Sequence, residues 1–202
     1  MATEQQLKTL DKYVDAIHEL LIDQIEGIKT NPKRQLLQNR LIFTRMLGQM
    51  LYDAPKLHTG MVSVRMVEQK LKNFSAKACQ EHHHTRQKGG SALIALVDRA
   101  IASGVYPSKD QVRQLALKYC QVHYTTVAEN NKLRKHQKHC SSEAAYRRAN
   151  IQLVHAPDLF TKRGKHAEVW KQEMRDKYQP VVDSYHKPQP IQQNFEWPDI
   201  IH

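Results

Sequence analysis

The chain has 202 residues, 40% of them apolar, and carries 31 Lys and Arg against 20 Asp and Glu for a net charge of +11. That is enough apolar material to bury a core, its charge points to nucleic acid as partner, and, although a basic surface could also meet an anionic membrane, no apolar run approaches the roughly 20 residues of a bilayer span, so no membrane partner is expected. The first residues lack the basic and apolar parts of a signal peptide, and Cys79, Cys120 and Cys140, odd in number and without CxxC spacing, read as reduced thiols of a cytoplasmic protein.

Residues 4–29 carry Leu7, Leu10, Val14, Ile17, Leu21 and Ile28 at helical spacing behind a capping box made by Thr3 and Gln6, which predicts a long amphipathic helix. Asn31 and Pro32 end it and start a second helix, running to about Tyr52 with Leu37, Leu41, Thr44, Leu47 and Leu51 on its buried face. The short turn predicts an antiparallel helical hairpin. The segment from Ala54 to Gly60 reads as a loop. In residues 61–72, Val62, Val64 and Met66 alternate like a strand while Val67 and Leu71 keep helical spacing; the helix formers from Glu68 to Lys72 favour a helix.

After the stretch Glu81-His82-His83-His84-Thr85-Arg86-Gln87-Lys88-Gly89-Gly90, a helix is predicted from about Ser91 to Ala102. Ser108 with Gln111 and Thr126 with Glu129 form two further capping boxes. They open a helix over 109–121, with Val112, Leu115, Ala116 and Tyr119 to the core, and another to about Lys138; by spacing the pair is a helix–turn–helix candidate. Lys132, Arg134, Lys135 and Lys138 give the second of these one sign of charge, and Arg147 and Arg148 lie on a short helix after Ser141 and Ser142, so phosphate contact is expected. Ile151 to Val154 is the best strand candidate.

A further helix is predicted over 165–178, beyond which Pro180, Pro188, Pro190 and Pro198 forbid regular structure through most of 180–202. Val181, Val182, Tyr185, Phe195 and Trp197 there predict an extended arm packed on the body or a partner. The expected fold is mainly α: an N-terminal helical hairpin (1–60), a catalytic and DNA-binding core (61–155) with at most one or two short strands, and a C-terminal helix with an extended Pro- and aromatic-rich tail (156–202). The sequence does not fix an oligomeric state.

Residues 81–90 look built for chemistry. Imidazole serves as base, acid or metal ligand near neutral pH, arginine holds phosphate in a two-pronged geometry, and the glycine pair marks a backbone that turns or approaches a ligand closely. Phosphodiester hydrolysis needs a base for water, positive charge for the phosphoryl oxygens and help for the leaving oxygen. His82 or His84 is the candidate base and Arg86 the phosphate clamp. His123 is a second base or ligand, with a helix C-terminal cap as its structural alternative. Glu81, with Glu129 or Asn130, offers oxygens to a magnesium-type ion, and Gln87 and Lys88 join the basic helices as DNA contacts. Zinc is the lesser metal candidate: Cys79-x-x-His82 and His136-x-x-His139 with Cys140 supply ligands at irregular spacing. No Gly-rich phosphate loop, nucleophile elbow or HExxH motif is present.

The pattern Glu81-His82-x-x-x-Arg86-Gln87-x-x-Gly90, followed by His123-Tyr124-Thr125-Thr126-x-x-Glu129-Asn130-x-x-Leu133, resembles phage-encoded mobile, homing-type DNA endonucleases, and the run from Tyr146 to Val154 is similar as well. The resemblance spans residues 79 to 154. A looser comparison is with HNH (His-Me-like) nucleases, where His, Arg and a Gly pair, then a distant Asn and His, surround one metal. Here the interval between the motifs reads as helices rather than two strands and a loop, so the meeting of the two motifs is carried over and the HNH fold is not. The resemblance implies a site-specific endonuclease that hydrolyses double-stranded DNA with a divalent metal, in the host cytoplasm if phage-encoded. The alternative is a non-catalytic helix–turn–helix regulator presenting Thr126, Asn130 and Arg134 to bases.

Overall fold

The computed structural model describes residues 2–35, 37–137, 142–161 and 167–187. Lys138, His139 and Cys140, and the tail residues Pro188, Pro190, Phe195, Trp197 and Pro198, lie outside these. The helical elements are α1 (Glu4–Thr30), α2 (Leu37–Asp53), α3 (Val64–Lys72), α4 (Arg86–Ser103), α5 (Lys109–Tyr119), α6 (Val127–His136), α7 (Ser142–Arg148) and α8 (Ala167–His186). Among the described residues four short strands join them: β1 (Leu57–Ser63), β2 (Cys79–His82), β3 (Gln121–Thr125) and β4 (Leu153–His155). The mainly helical expectation holds, but the sheet has four strands in the order β2-β3-β1-β4 where one or two were expected. The pairs β2–β3 and β1–β4 are antiparallel, and β1–β3 is parallel.

Local chemistry explains most helix ends. Thr3, Ser108 and Thr126 close capping boxes with Gln6, Gln111 and Glu129, as their spacing predicts. Asn31 and Pro32 end α1, but Pro32–Gln35 forms a single 3-10 turn before α2. Ser63 ends β1 and caps α3, so the ambiguous stretch 61–72 is a strand end followed by a helix. The loop expected from Ala54 to Gly60 gives way to β1 at Leu57.

One core is built from α1, α2, α4 and α5, with Leu10, Ile17, Leu21, Leu47, Leu93 and Val112 fully out of water. α1 packs on α5 and α4, while α2 lies chiefly along α4 and meets α1 more briefly. Leu47 and Leu51 are buried as predicted, whereas Leu41 is 49% exposed and lines an open groove beside the first turn of α4. The sequence division near residue 60 passes through β1, and this core joins residues on both sides of it. A second core sets α3 and α8 against β1, around Val62, Met66, Val67, Met174, Tyr178 and Val182. A third, smaller cluster holds Leu133, Ala145, Tyr146, Ala149 and Ile151 beneath α6 and α7.

Helix α8 runs through Pro180, where irregular structure was expected. An interior proline removes one helical donor and crowds the preceding turn, about 3 kcal/mol in an isolated helix. Here Met174, Tyr178 and Val182, one turn apart on one face, bury against α3 on both sides of the proline and hold the helix together.

The Gly89–Gly90 pair, read from sequence as a turn or a ligand approach, lies inside α4 and is buried. A Cβ at Gly90 would overlap the Thr44 carbonyl, and one at Gly48 would overlap the Arg86 carbonyl. These glycines let α2 and α4 cross backbone to backbone, which brings Gln49 and Tyr52 beside Arg86.

Candidate functional site

The two motifs that the sequence separates by two helices meet as neighbouring strands. In the β2–β3 ladder Glu81 pairs with His123, Cys79 with Thr125, and His82 with Val122. Successive strand residues face opposite sides of a sheet, so Glu81, Cys79 and His123 share one face and His82 lies on the other. Helices α6 and α7 cover the Glu81 face: Asn130 Nδ2 donates to Cys79 Sγ at 2.8 Å, Gln137 Nε2 donates to Glu81 Oε1 at 2.8 Å, and the Tyr146 ring lies 5.5 Å from that of His123.

His83 extends the ladder by donating its backbone N–H to Gln121 O, then leaves the strand. Its ring centre is 4.6 Å from that of His123, 4.4 Å from His84 and 6.1 Å from Tyr146, and its Nε2 stands 3.3 Å from a Glu143 carboxylate oxygen. His84 Nδ1 is 2.9 Å from Ser142 Oγ. Three imidazoles, a phenol and a carboxylate thus gather under α7.

His82 and Arg86 belong to a different group. His82 stacks on Tyr52 at 4.2 Å, Arg86 lies over the same ring at 4.7 Å, and its Nη1 donates to Gln49 Oε1 at 2.6 Å. The expectation that His82 and Arg86 share a centre with His123 is corrected: the alternation of β2 divides them. His123 is a strand residue and not a helix cap, since α5 ends on Cys120. Cys79 and His82 also face opposite ways, which removes that half of the zinc arrangement.

Glu129 is 2% exposed and committed to structure, its Oε2 accepting from Ser63 Oγ, Thr126 N and Thr126 Oγ1. That oxygen thus holds β1, the start of α6 and the cap of α3 together. Among the described residues no three His, Cys, Asp or Glu side chains stand where they could hold one metal ion. Oxygens that remain for a cation are those of Glu81 and the buried Oδ1 of Asn130, which has no hydrogen-bond partner among the described residues.

Burial sets the charge of the cluster. It drives His123 down to about 3, with His83, His58 and His84 adding to the effect, and His82 and His84 to about 4. His83 is lowered by the same cause against the pull of Glu143. Burial raises the Glu81 carboxyl, opposed by the Gln137 hydrogen bond and by the charges of Arg134 and Lys56. The imidazoles are therefore neutral at pH 7. His82 Nε2, His83 Nδ1, His123 Nδ1 and the Tyr146 hydroxyl are buried without a hydrogen-bond partner among the described residues, a concentration of unsatisfied polar atoms that ordinary cores avoid.

A groove of about 980 Å³ opens beside the cluster, lined by Thr85, Arg86, Lys88, Tyr119, Arg134 and Gln137 among others. Of the predicted DNA contacts, Gln87, Lys132, Arg134, Lys135, Arg147 and Arg148 are exposed and Lys88 is half-buried. The helix–turn–helix expectation is overturned, because strand β3 separates α5 from α6 and is paired on both sides. Thr126 and Asn130 are 5% and 6% exposed and cannot reach bases.

Sequence reasoning missed His83, Tyr146 and Gln137 as members of this group. His83 sits in the motif itself, but only a strand assignment for 79–82 tells which of the three histidines turns towards His123. Comparison with protein-family models, with curated proteins and with solved structures gives no match to this chain.

Proposed function

We propose that the chain is a site-specific, homing-like DNA endonuclease whose centre is the Glu81–His123 face of the β2–β3 ladder. The observation that carries this reading is the pairing of Glu81 with His123, which joins the two motifs behind the sequence resemblance, with His83 and Tyr146 against the same spot.

In this reading His83, whose pKa Glu143 holds up against burial, accepts a proton from the attacking water. His123, which burial takes down to about 3 and so leaves too weak a base for that task, positions the His83 ring beside it. Glu81, a carboxyl that burial makes easier to protonate, returns a proton to the leaving oxygen or ligates a cation. A divalent ion, magnesium before zinc, belongs to the proposal. Glu81 and Asn130 Oδ1 would hold it together with oxygens of the DNA, and when bound it would supply positive charge at the phosphoryl oxygens and a more acidic water. Arg134, whose charge is felt at Glu81, faces the groove by which a phosphate would approach. Arg86 acts in that groove as a phosphate contact and not at the reacting atoms.

The test is cleavage of supercoiled plasmid and phage DNA with magnesium, manganese or EDTA, alongside binding at fixed salt. His123→Ala and Glu81→Gln are expected to lose metal-dependent nicking while binding persists; His82→Ala, on the far face, retains cleavage. No cutting by the wild type with any ion, with binding intact, would leave a non-catalytic DNA-binding protein and overturn the enzyme reading.

A further inference from the structure

Two grooves flank the first turn of α4 and share a wall. One, of about 580 Å³, is lined by Arg40, Thr44, Arg45 and Gln49 of α2. The other, of about 980 Å³, reaches Lys88, Tyr119, Arg134 and Gln137. Arg86, Gln87 and Ser91 line both, so the two grooves adjoin over the start of α4 as the halves of a channel.

The chain has 20 Asp and Glu, yet none of those among the described residues lines either groove. Arg40 is neutralised by a two-pronged pair with Asp98 at 2.6 and 2.7 Å. Arg45 is exposed and has no ion pair among the described residues. Arg86 is aimed by Tyr52 and Gln49. Thr44, Gln49, Gln87 and Ser91 add neutral hydrogen-bonding groups between the cations. An open, extended row of Arg and Lys interleaved with hydroxyls and amides is the side-chain set that holds a sugar–phosphate backbone, whereas a small anion would need an enclosed pocket. The channel is also fixed in shape, since the Gly48–Gly90 crossing locks α2 onto α4.

We propose that this channel is the track of one DNA strand's phosphate backbone, running from Arg45 on α2 across Arg86 and Lys88 to Arg134 and Gln137. It rests on the endonuclease reading and gives that site its direction of approach, because Gln137 lines the channel and also donates to Glu81. Helix α2, whose sequence carries no sign of function, becomes half of the DNA surface.

The experiment is fluorescence anisotropy of a labelled DNA duplex in EDTA, titrated with salt, for the full chain and for Arg45→Gln and Lys88→Gln. Lys12→Gln on α1 and Arg65→Gln on α3 are charge-matched controls, as neither lines the channel. Each track variant is expected to weaken binding several-fold and to reduce the log–log salt slope by about one, with the controls unchanged. Track variants indistinguishable from the controls would overturn the track, and if such variants still cut DNA the endonuclease reading survives without it. Slopes that fall as expected in a protein that never cuts would support the track and sink the enzyme. No duplex binding by the wild type, or tighter binding of an RNA duplex or an acidic polypeptide, overturns the assignment to DNA.

Discussion

Glu81 and His123 stand opposite one another as partners in the β2–β3 ladder, and one cause acts on both in opposite senses: burial raises the carboxyl and lowers the imidazole. Each is thereby moved towards its uncharged form. Among the described residues the Glu81 carboxylate accepts a hydrogen bond from Gln137, and that bond works against the trend.

Gln137→Ala removes the donor that holds the Glu81 carboxyl down, so its pKa rises further above the ordinary carboxylate value. An NMR titration of the Glu81 side-chain carboxyl should show the midpoint moving upwards relative to wild type; the alkaline limb of the nicking profile moves with it if Glu81 donates the proton to the leaving oxygen, and the acid limb if it ligates the cation. A midpoint that stays put or falls would mean that Arg134 and Lys56, not Gln137, set the charge of Glu81.

The α2–α4 crossing makes a sharp contrast between two glycines. A Cβ at Gly90 meets the backbone carbonyl of Thr44, which cannot rotate away, so Gly90→Ala is expected to cost about 3 kcal/mol or more. At Gly104 a Cβ meets nothing within 4 Å, and only the left-handed φ of 72° is strained, worth about 1 kcal/mol. Urea unfolding of the two variants measures the difference; equal losses would mean that α2 can move off α4 at little cost.

What was legible in the sequence follows from the range of each interaction. The three capping boxes and the helices they open depend on side chains three apart, and all three form. The strands depend on distant partners: β1 pairs with residues 121–124 and 153–155, and it contains Gly60 at φ 86°, so its own seven residues give no strand pattern. Pro180 misled because its local cost is outweighed by burial of Met174, Tyr178 and Val182 against α3. The site was half legible for the same reason. The residue types in 81–86 and 123–130 announced chemistry, but the alternation that separates His82 from Glu81 exists only once β2 has β3 to pair with.

Ser63 performs two tasks with one hydroxyl. Its Oγ accepts from Met66 N as the cap of α3 and donates to the buried Glu129 carboxylate. Ser63→Ala removes a cap, about 1 kcal/mol, and leaves a buried carboxylate short of a donor, about 1 to 3 kcal/mol more. Thermal unfolding should show a loss of about 2 to 4 kcal/mol, the two costs added. Nicking by the surviving folded fraction should be unchanged, since Glu129 has no part in the proposed chemistry. A loss of metal-dependent cutting larger than the loss of folded protein would return Glu129 to the list of ligands.

The buried imidazoles make stability depend on pH with a definite sign. His82, His84 and His123 take up protons in the folded chain only near 4, 4 and 3, whereas in the unfolded chain they do so near the ordinary value of about 6.5. Between those limits the unfolded state binds more protons, so stability is greatest above about 6.5 and falls as the pH drops towards 4. Each proton contributes a slope of about 1.4 kcal/mol per pH unit in the middle of the window. Glu81 acts in the opposite direction, since its raised pKa lets the folded state hold an extra proton, but it is one group against these three, and His58 and His83 are lowered as well. Urea midpoints measured in EDTA from pH 7.5 to 4.5 should fall, and His82→Phe, which keeps a ring on Tyr52, should flatten the fall by about one proton. A midpoint that holds steady on acidification would show that these histidines titrate near the ordinary value in the folded protein too, and one that rises would show that the fold favours their charged form; either would remove burial as the cause that sets the charge of the cluster.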